Sequence, residues 1–319
     1  MREKKRFDVI CIGQVCQDMI MSGIERESLL QDGQTVYADS FTYTVGGDSA
    51  NEAIVLARLG NHTGLLAHVD SGVIGAMIRN ELVLEGVDTE TLLTAAEGEN
   101  LVSVVLIRPD GSHNFILPRR DPFSLKRGDY DLALFKQTRV VSAASLFSLG
   151  EIDTDGIDEI FSVVKESGGI TVADTNLDLF GIGPRGVDHV FPYTDYLIPS
   201  MSEALYITGR QDDDEIADFF LERGVGHVIL KQGERGCFFK SRTERFYIPA
   251  FCIRPKDTTG CGDNFVAGFI HGILQGWDHR AAVRFACACG ALNALSAGAH
   301  SGVRNEKQVM DFLENQLQE

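Results

Sequence analysis

The sequence predicts an α/β protein whose mostly parallel sheet is covered by helices on both faces. Short apolar runs recur along the chain, and segments with apolar residues at three- and four-residue spacing lie between most of them. This alternation of buried strands with helices is typical of a parallel sheet between two helical layers. The chain has 319 residues, of which 44% are hydrophobic, and it contains no repeat or linker-like tract. We therefore expect one domain over residues 1–319, with a lid.

The apolar runs and the helical spacing place the elements in order along the chain. Gly60 and Gly86 stand where a helix commonly ends in a glycine, just after two of the amphipathic segments. The expected strands are 9–12, 63–67, 170–174, 195–198 and 227–231, and the expected helices are 50–59, 74–85, 280–296 and 305–318.

Two stretches depart from this alternation. Residues 34–45 alternate apolar and polar side chains, and residues 101–117 contain a Pro-Asp-Gly turn between two strand-like arms. We expect an antiparallel β flap, a lid made of segments at about 14–45 and 100–120. Its apolar face is too large to leave in water, which predicts a homodimer formed through the flap. The side chains assigned to that face are Val36, Phe41, Tyr43, Val104, Leu106 and Phe115.

Charge and cysteine usage exclude several classes of function. The net charge of −17 argues against a nucleic-acid partner and an acidic membrane surface, since both require a basic footprint. The seven cysteines have no paired spacing, so neither a zinc site nor a disulfide framework is indicated. We expect reduced thiols and a cytoplasmic location.

The stretch KDTTGCGDNF, residues 256–265, combines small residues with a carboxylate at the head of an apolar helix. Gly260 and Gly262 allow the backbone amides to point outward, and the helix adds its positive dipole end, which together predict a phosphate site. Asp263 would repel a phosphate unless it accepts a proton from an attacking hydroxyl. The alternative is a simple helix-start acid. A P-loop signature is absent, and Ala267 stands where a cysteine phosphatase needs arginine.

This stretch resembles the DTTGAGDxF signature of the ribokinase-like (PfkB) carbohydrate kinases, with Cys261 in the usual alanine position. A second block, residues 45–53 followed by Arg58-Leu-Gly60, is similar to the GGxxxNxA block of that family. Further matches in the same order extend the resemblance over nearly the whole chain. It implies a ribokinase-like three-layer fold and ATP-dependent transfer of the γ-phosphoryl group to a hydroxyl of a small sugar, most simply a hydroxymethyl.

The resemblance also implies roles for individual residues. Asp263 would be the base, and the amides of Gly260, Cys261 and Gly262 would stabilise charge on the transferring group. Taken alone, Asp18 suits a turn and Asn51 a helix start. The implied sugar-binding residues are Asp18, Gly46, Gly47, Asn51 and Glu151, and the implied nucleotide-binding residues are Lys231, Gly233, Gly236, Asn293 and Gly298.

The implied cofactors are ATP and Mg²⁺, with K⁺ as a further candidate. The family's NxxE motif appears here as Ser200-Met-Ser-Glu203, so only Glu203 is carried over, acting on Mg²⁺ through water. The alternative for Glu203 is a first-turn helix acid. Asp257 is a candidate for a monovalent-cation loop. Cys261, amid outward amides, is expected to have a lowered thiol pKa, with a plain alanine-sized filler as the alternative.

The resemblance implies that the lid determines which sugar is bound. The sequence of the lid does not identify that sugar. Arg119 and Arg120 follow the second arm and are candidates for binding an acidic sugar, although paired arginines after a strand are commonly surface charge. No aromatic pair offers a sandwich for a nucleobase, which favours a simple sugar. A nucleoside or phosphosugar kinase stays open, as does a non-catalytic sugar-binding protein. The intact Asp263 argues against the last alternative, and the replaced asparagine at position 200 argues for it.

Overall fold

The structure is a computed structural model that describes residues 5–25, 33, 35–98, 101–109, 113–118 and 124–316. Its strands are β1 (Phe7–Ile12), β2 (Cys16–Ser22), β3 (Ser40–Gly46), β4 (Thr63–Leu66), β5 (His68–Asp70), β6 (Leu93–Ala95), β7 (Leu101–Ile107), β8 (His113–Ile116), β9 (Thr138–Leu146), β10 (Ile170–Thr175), β11 (Tyr196–Leu197), β12 (His227–Lys231), β13 (Cys237–Ser241) and β14 (Arg245–Ile248). Its helices are α1 (Asp48–Arg58), α2 (Val73–Leu84), α3 (Ala133–Lys136), α4 (Glu151–Thr154), α5 (Ile157–Glu166), α6 (Met201–Thr208), α7 (Asp213–Leu221), α8 (Cys261–Leu274), α9 (His279–Ala294) and α10 (Glu306–Asn315).

The main sheet has eight strands in the order β14-β13-β12-β11-β10-β9-β1-β4. The pairs from β4 to β12 are parallel, and β13 and β14 add an antiparallel edge. The predicted fold class is confirmed. Strand β9 was not predicted from the sequence, although it lies inside the sheet. Its buried stretch is rich in serine and alanine, so it lacks the large apolar run that marks the other strands.

Two hydrophobic cores lie on opposite faces of the main sheet. Along β1, Val9 and Cys11 enter one core while Ile10 and Ile12 enter the other, because successive side chains of a strand alternate between faces. Helices α1, α8 and α9 cover the first face, and α5 and α7 cover the second. The carboxyl ends of the parallel strands lie together at one edge of the sheet. Ligands of open α/β sheets bind at this edge.

The predicted lid is a separate sheet of four strands in the order β3-β2-β7-β8. It is not purely antiparallel, because β2 pairs with β7 in parallel. The cross-strand pairs place Met19, Met21, Phe41, Tyr43, Val104, Leu106 and Ile116 on one face. Phe115 pairs with Val105 and lies on the opposite face, which also carries Asp18. Its assignment to the same face as Phe41 was therefore wrong.

Several predicted lid positions lie outside the described residues. These are positions 26–32, 34, 99–100, 110–112 and 119–120, which include Arg119, Arg120 and most of the predicted Pro-Asp-Gly turn. In the part of the chain that the structure describes, no helix combines the length and the apolar composition needed to cross a bilayer.

Candidate active site at the carboxyl edge of the sheet

The loop at residues 257–262 leads into α8, which begins at Cys261. Gly260 is the N-cap with φ of 70°, and a Cβ built on it would lie 1.9 Å from the carbonyl oxygen of Ala299. Only glycine fits both the left-handed backbone and this close approach. A Cβ on Gly262 would lie 3.2 Å from Nζ of Lys231. The first amides of α8 and one lysine ammonium therefore lie side by side, as an anion site requires.

Asp263 is the third residue of α8, and only 9% of its surface is exposed. Its Oδ2 accepts a hydrogen bond from Nδ2 of Asn51 at 2.7 Å. Burial raises its pKa well above the ordinary carboxyl value, and the charges of Asp48 and Glu52 add to the rise, while Asn51 and Lys231 oppose it. The carboxylate thus has more affinity for a proton than an exposed aspartate has.

Asp263 opens into a cavity of 330 Å³ at the carboxyl edge of the sheet. The ends of β10 and β12 and the beginnings of α1, α6 and α8 all contribute to its wall. Its lining residues are Asp48, Asp174, Thr175, Asn176, Ser200, Glu203, Lys231, Gly233, Gly262 and Asp263.

Lys231, at the end of β12, forms an ion pair with Asp174, near the end of β10. Burial raises the pKa of Asp174 to about 7, an effect that Lys231 opposes and Glu203 enhances. Burial by itself would lower the pKa of Lys231, but Asp174, Glu203 and Asp263 outweigh it and raise this pKa. The ammonium therefore stays charged beside the first turn of α8, where it can meet a phosphate.

Asp48, the first residue of α1, also lines the cavity, although it was not among the site residues predicted from the sequence. Its Oδ2 accepts from Oγ of Ser145 at 2.5 Å and from Nδ2 of Asn176 at 2.8 Å. Burial raises its pKa; the hydrogen bond from Ser145 and the charge of Lys231 lower it. Its position inside the GGxxxNxA-like block was the available signal, but that pattern leaves the residue type free.

The lid brings the predicted sugar-binding residues of β2 and β3 together. A Cβ on Gly46 would lie 2.1 Å from Oδ2 of Asp18, so glycine makes room for that carboxylate. Gly47 has φ of 96° and passes close to the backbone of Gln14. Burial raises the pKa of Asp18, while hydrogen bonds from Ser103 and Cys16 lower it. Asn51 lies one turn further on and reaches Asp263.

Glu151 is not among the residues that line the cavity, and its role in sugar binding stays a prediction. Its side chain is 67% exposed, and its carboxylate pairs with Lys126 at 3.3 Å. The buried acid of this segment is Asp153, which accepts hydrogen bonds from the amides of Phe147 at 3.0 Å and Leu149 at 2.8 Å. Position along the chain could not distinguish the two acids, because only packing decides which one turns inward.

Asn293 supports the loop at residues 257–262 through hydrogen bonds to the backbone. It is fully buried, and its Nδ2 donates to the carbonyl oxygens of Thr259 at 2.7 Å and Ala299 at 3.2 Å. Asp257 joins the same two segments, since it accepts from the amides of Thr259 and Gly298, each at 2.9 Å. Asn293 thus has a supporting role in this structure, and its contact with a nucleotide stays a prediction.

The other predicted nucleotide-binding glycines differ in position. Gly233 lines the cavity with φ of 59° and has open space where a Cβ would stand. Gly236 has φ of 94°, and a Cβ there would lie 2.0 Å from the carbonyl oxygen of Ile248. It is therefore required by the turn between β12 and β13.

Ser200 and Glu203 form a capping box at the start of α6. The amide of Glu203 donates to Oγ of Ser200 at 3.4 Å, and Oε2 of Glu203 accepts from the amide of Ser200 at 2.8 Å. The same Oε2 accepts from Oγ1 of Thr175 at 2.7 Å. Glu203 thus serves as the first-turn helix acid and also lines the cavity, so the two alternatives are compatible.

Cys261 does not have the lowered thiol pKa that was expected. Burial raises its pKa to about 11, with Asp257 and Asp263 adding to the rise and Asn293 opposing it. The sequence correctly placed the thiol at the head of a helix but could not reveal its burial and the two nearby carboxylates, which raise its pKa.

Similarity to known proteins extends over nearly the whole chain. The model of the pfkB family of carbohydrate kinases matches residues 6–306. The ribokinase of Bacillus subtilis is 26% identical, with coverage of 96% of this chain and 99% of that protein. The 2-dehydro-3-deoxygluconokinase of the same organism is also 26% identical, with coverage of 87% and 89%. An Escherichia coli protein provisionally named ribokinase II, solved with ATP and Mg²⁺, superposes with a TM-score of 0.84 at 23% identity, covering 97% of this chain and 99% of that one.

Proposed function

The chain belongs to the pfkB family of carbohydrate kinases, and from this premise we propose that its cavity transfers the γ-phosphoryl group of ATP to a hydroxymethyl oxygen of a small free sugar. One observation carries the proposal: a buried carboxylate of raised pKa, Asp263, lies in the same turn as the amides of Gly260 to Gly262 and beside Lys231. The cavity thus combines a carboxylate base, the amides of an anion site and the charged lysine.

The proposed reaction uses these groups in a single displacement. The hydroxyl oxygen attacks the γ-phosphorus as its proton passes to Asp263, and the bond between the γ-phosphorus and the β,γ-bridging oxygen breaks. The products are a sugar phosphate and ADP. The amides at the start of α8 and the ammonium of Lys231 stabilise the negative charge on the transferring group. Burial strengthens these interactions, because few waters compete with them.

ATP and Mg²⁺ are the proposed nucleotide and metal, supported by the E. coli relative solved with both. Carboxylates of Asp48, Asp174 and Glu203 line the cavity, but no group of three acids, histidines or cysteines among the described residues is arranged as a closed metal cage. This donor set suits Mg²⁺, which keeps several waters and is shared with the triphosphate. When bound, the ion neutralises phosphate charge.

K⁺ and a cytoplasmic location are further parts of the proposal. Asp257 links the segment of Thr259 to that of Gly298, as a cation-sensitive loop would require. Activity in K⁺ compared with an equal concentration of tetramethylammonium tests the first part. The seven free cysteines support a reducing compartment, which cell fractionation tests.

The sugar is the least determined part of the proposal. Asp18, Gly46, Gly47 and Asn51 supply short polar side chains and open backbone for hydroxyl groups. The two B. subtilis relatives have the same identity to this chain but different names, ribokinase and 2-dehydro-3-deoxygluconokinase, so similarity alone does not choose between a neutral sugar and a sugar acid.

A homodimer formed through the lid is also proposed. Phe41, Tyr43 and Ile116 are 59%, 51% and 55% exposed, and the strand register places all three on the face opposite Asp18. An apolar face turned away from the sugar site is suited to pack against a second copy of the lid.

A coupled assay of ADP release tests the reaction and the substrate class together. Free pentoses and hexoses, sugar acids, nucleosides and sugar phosphates are tested in parallel, with the Asp263→Asn variant as the control for contaminating kinases. Turnover of a free sugar that this variant loses supports the proposal. Turnover only of nucleosides or sugar phosphates replaces the substrate class, and saturable sugar binding without ADP release replaces the enzyme by a sugar-binding protein.

A further inference from the structure

A buried hydrogen-bond chain leads from Asp263 through Asn51 to His300. Nδ2 of Asn51 donates to Oδ2 of Asp263 at 2.7 Å, and Oδ1 of Asn51 lies 3.1 Å from Nδ1 of His300. The exposed fractions are 9%, 3% and 5% for Asp263, Asn51 and His300. His300 was not among the residues predicted from the sequence, and the proposed reaction does not use it.

The chemistry of the three side chains determines which group is the donor in each of these hydrogen bonds. A carboxylate only accepts hydrogen bonds, so the group of Asn51 that faces Asp263 must be its amide nitrogen. The amide oxygen then faces His300, whose Nδ1 must carry the hydrogen. Burial, with a contribution from the charge of Arg58 and against the opposing charge of Glu85, lowers the pKa of His300 to about 4, so the ring is neutral near pH 7. A reversed Asn51 would place its oxygen against the carboxylate of Asp263 and its nitrogen against the N–H of His300.

Arg58 anchors the segment that carries His300 to the helix that carries Asn51. Nη1 of Arg58, in the last turn of α1, donates to the backbone carbonyl of His300 and to that of Val303, the second at 3.0 Å. Nε of Arg58 donates to Glu85 at 2.6 Å. These hydrogen bonds therefore hold His300 and Asn51 close together, although the two residues are far apart in the sequence.

We propose that His300 is a positioning residue for phosphoryl transfer, which locks Asn51 in the one orientation that donates a hydrogen bond to the carboxylate of Asp263. The inference rests on the proposed role of Asp263 as the base. Loss of the lock leaves Asn51 free to reverse, and Asp263 then loses a donor that stabilises its charged form.

The test compares His300→Leu with His300→Gln. Leucine cannot donate to Asn51, so the pKa of Asp263 should rise and the acidic limb of the pH profile of kcat/KM should move to higher pH. We expect about a tenfold loss at neutral pH that is recovered at higher pH. Glutamine offers an N–H in place of the ring donor, so His300→Gln should retain most of the wild-type profile. The other charged groups that act on Asp263, namely Asp48, Glu52 and Lys231, are unchanged in both variants.

His271→Leu is the matched control. His271 is also a buried histidine bonded to an asparagine amide, since its Nδ1 lies 3.0 Å from Nδ2 of Asn61, but this pair does not include Asp263. We expect it to lower the melting temperature without moving the pH profile. A purely structural role of His300 would give the same result for His300→Leu, and an unshifted profile in a folded His300→Leu protein overturns the proposal.

A second measurement separates this proposal from the proposed function. The ¹³C chemical shift of the Asp263 carboxyl group, followed against pH in wild type, His300→Leu and His300→Gln, reports the titration without any turnover. A higher midpoint in His300→Leu alone supports the positioning role even if every sugar fails in the activity assay. Equal midpoints in all three folded proteins overturn it whether or not the enzyme is active.

Discussion

Asn51 and Asp263 are neighbours in space, with Nδ2 of one 2.7 Å from Oδ2 of the other, although 212 positions separate them in the chain. Asn51 lies in the block near the amino end, in α1, and Asp263 lies in the block near the carboxyl end, in α8. The two sequence blocks thus form one site. The contact means that Asn51, a predicted sugar-binding residue, also supports the proposed base.

Asp263→Asn should lower kcat by about two to four orders of magnitude, because the amide cannot take the hydroxyl proton. Affinities for sugar and ATP should change by only several-fold, since the amides of the loop are untouched. The measurements are kcat, binding affinities and melting temperature. Asp158→Asn, which removes an acid from the first turn of α5, is the control and should keep wild-type turnover. Near-wild-type kcat in Asp263→Asn, with a lowered melting temperature, would indicate a helix-start acid only.

The pH profile should show that Asp263 must be ionised. Its folded-state pKa is raised, chiefly by burial and then by Asp48, so kcat/KM should fall as the pH drops through that raised value. Asp48→Asn removes the neighbouring negative charge and should shift this acidic limb to lower pH, whereas loss of an essential metal ligand would lower kcat/KM at every pH. Titration of Mg²⁺ at two pH values separates these results.

The raised pKa of Asp263 should also make the free energy of unfolding depend on pH. The direction is opposite to that of a carboxylate whose pKa is lowered by folding. Because the folded state binds the proton of Asp263 more tightly than the unfolded state does, this group lowers the free energy of unfolding as the pH rises from the ordinary carboxyl pKa to the raised one. Asp263→Asn should therefore be at least as stable as wild type above that window. Urea denaturation over a series of pH values measures the difference, and a variant that loses stability relative to wild type as the pH rises contradicts the expectation.

Ser200→Ala should reduce the free energy of unfolding by about 1 kcal/mol, because it removes the side-chain half of the capping box. Ser200→Asn should lose much less, since asparagine is also a strong N-cap. If Ser200 has only this capping role, both variants keep the wild-type dependence of activity on Mg²⁺. A tighter Mg²⁺ response in Ser200→Asn would show that the amide contributes to the metal site.

Cys252 should react with iodoacetamide before Cys261 does. Cys252 is exposed, whereas burial raises the pKa of the Cys261 thiol to about 11 and leaves little thiolate at neutral pH. Mass spectrometry of the folded protein after short labelling measures the order. Cys252→Ser is the control, in which labelling should become slow overall. Faster modification of Cys261 would contradict the buried environment.

Tyr43→Glu should dissociate the proposed lid dimer, because it places a charge in the apolar face formed by Phe41, Tyr43 and Ile116. Sedimentation velocity at micromolar concentration measures the oligomeric state. Leu84→Glu, at an exposed position 78% accessible at the end of α2, is the control and should sediment like wild type. A monomeric wild-type protein would rule out the lid interface.

The sequence by itself was sufficient for the architecture and for the position of Asp263 at the head of a helix. Strand-helix alternation is a local property, so β12 was predicted with its observed bounds, 227–231, and α1, α2, α9 and α10 within a few residues. The short glycine-rich stretch before α8 is also informative on its own, because two glycines and a helix start suffice to predict an anion site. The resemblance to a known family then joined these local features into one enzyme class.

Tertiary structure alone decided which side chains turn inward and what charge they carry. Glu151 and Asp153 are two residues apart, yet one faces solvent and the other is buried, because the packing around α4 differs on its two sides. Phe115 lies on the face of the lid opposite Phe41 because strand register, which is set by pairing, determines which residues of different strands share a face. The raised pKa values of Asp263 and Cys261 arise from burial and from carboxylates brought close by folding, and local sequence contains neither quantity.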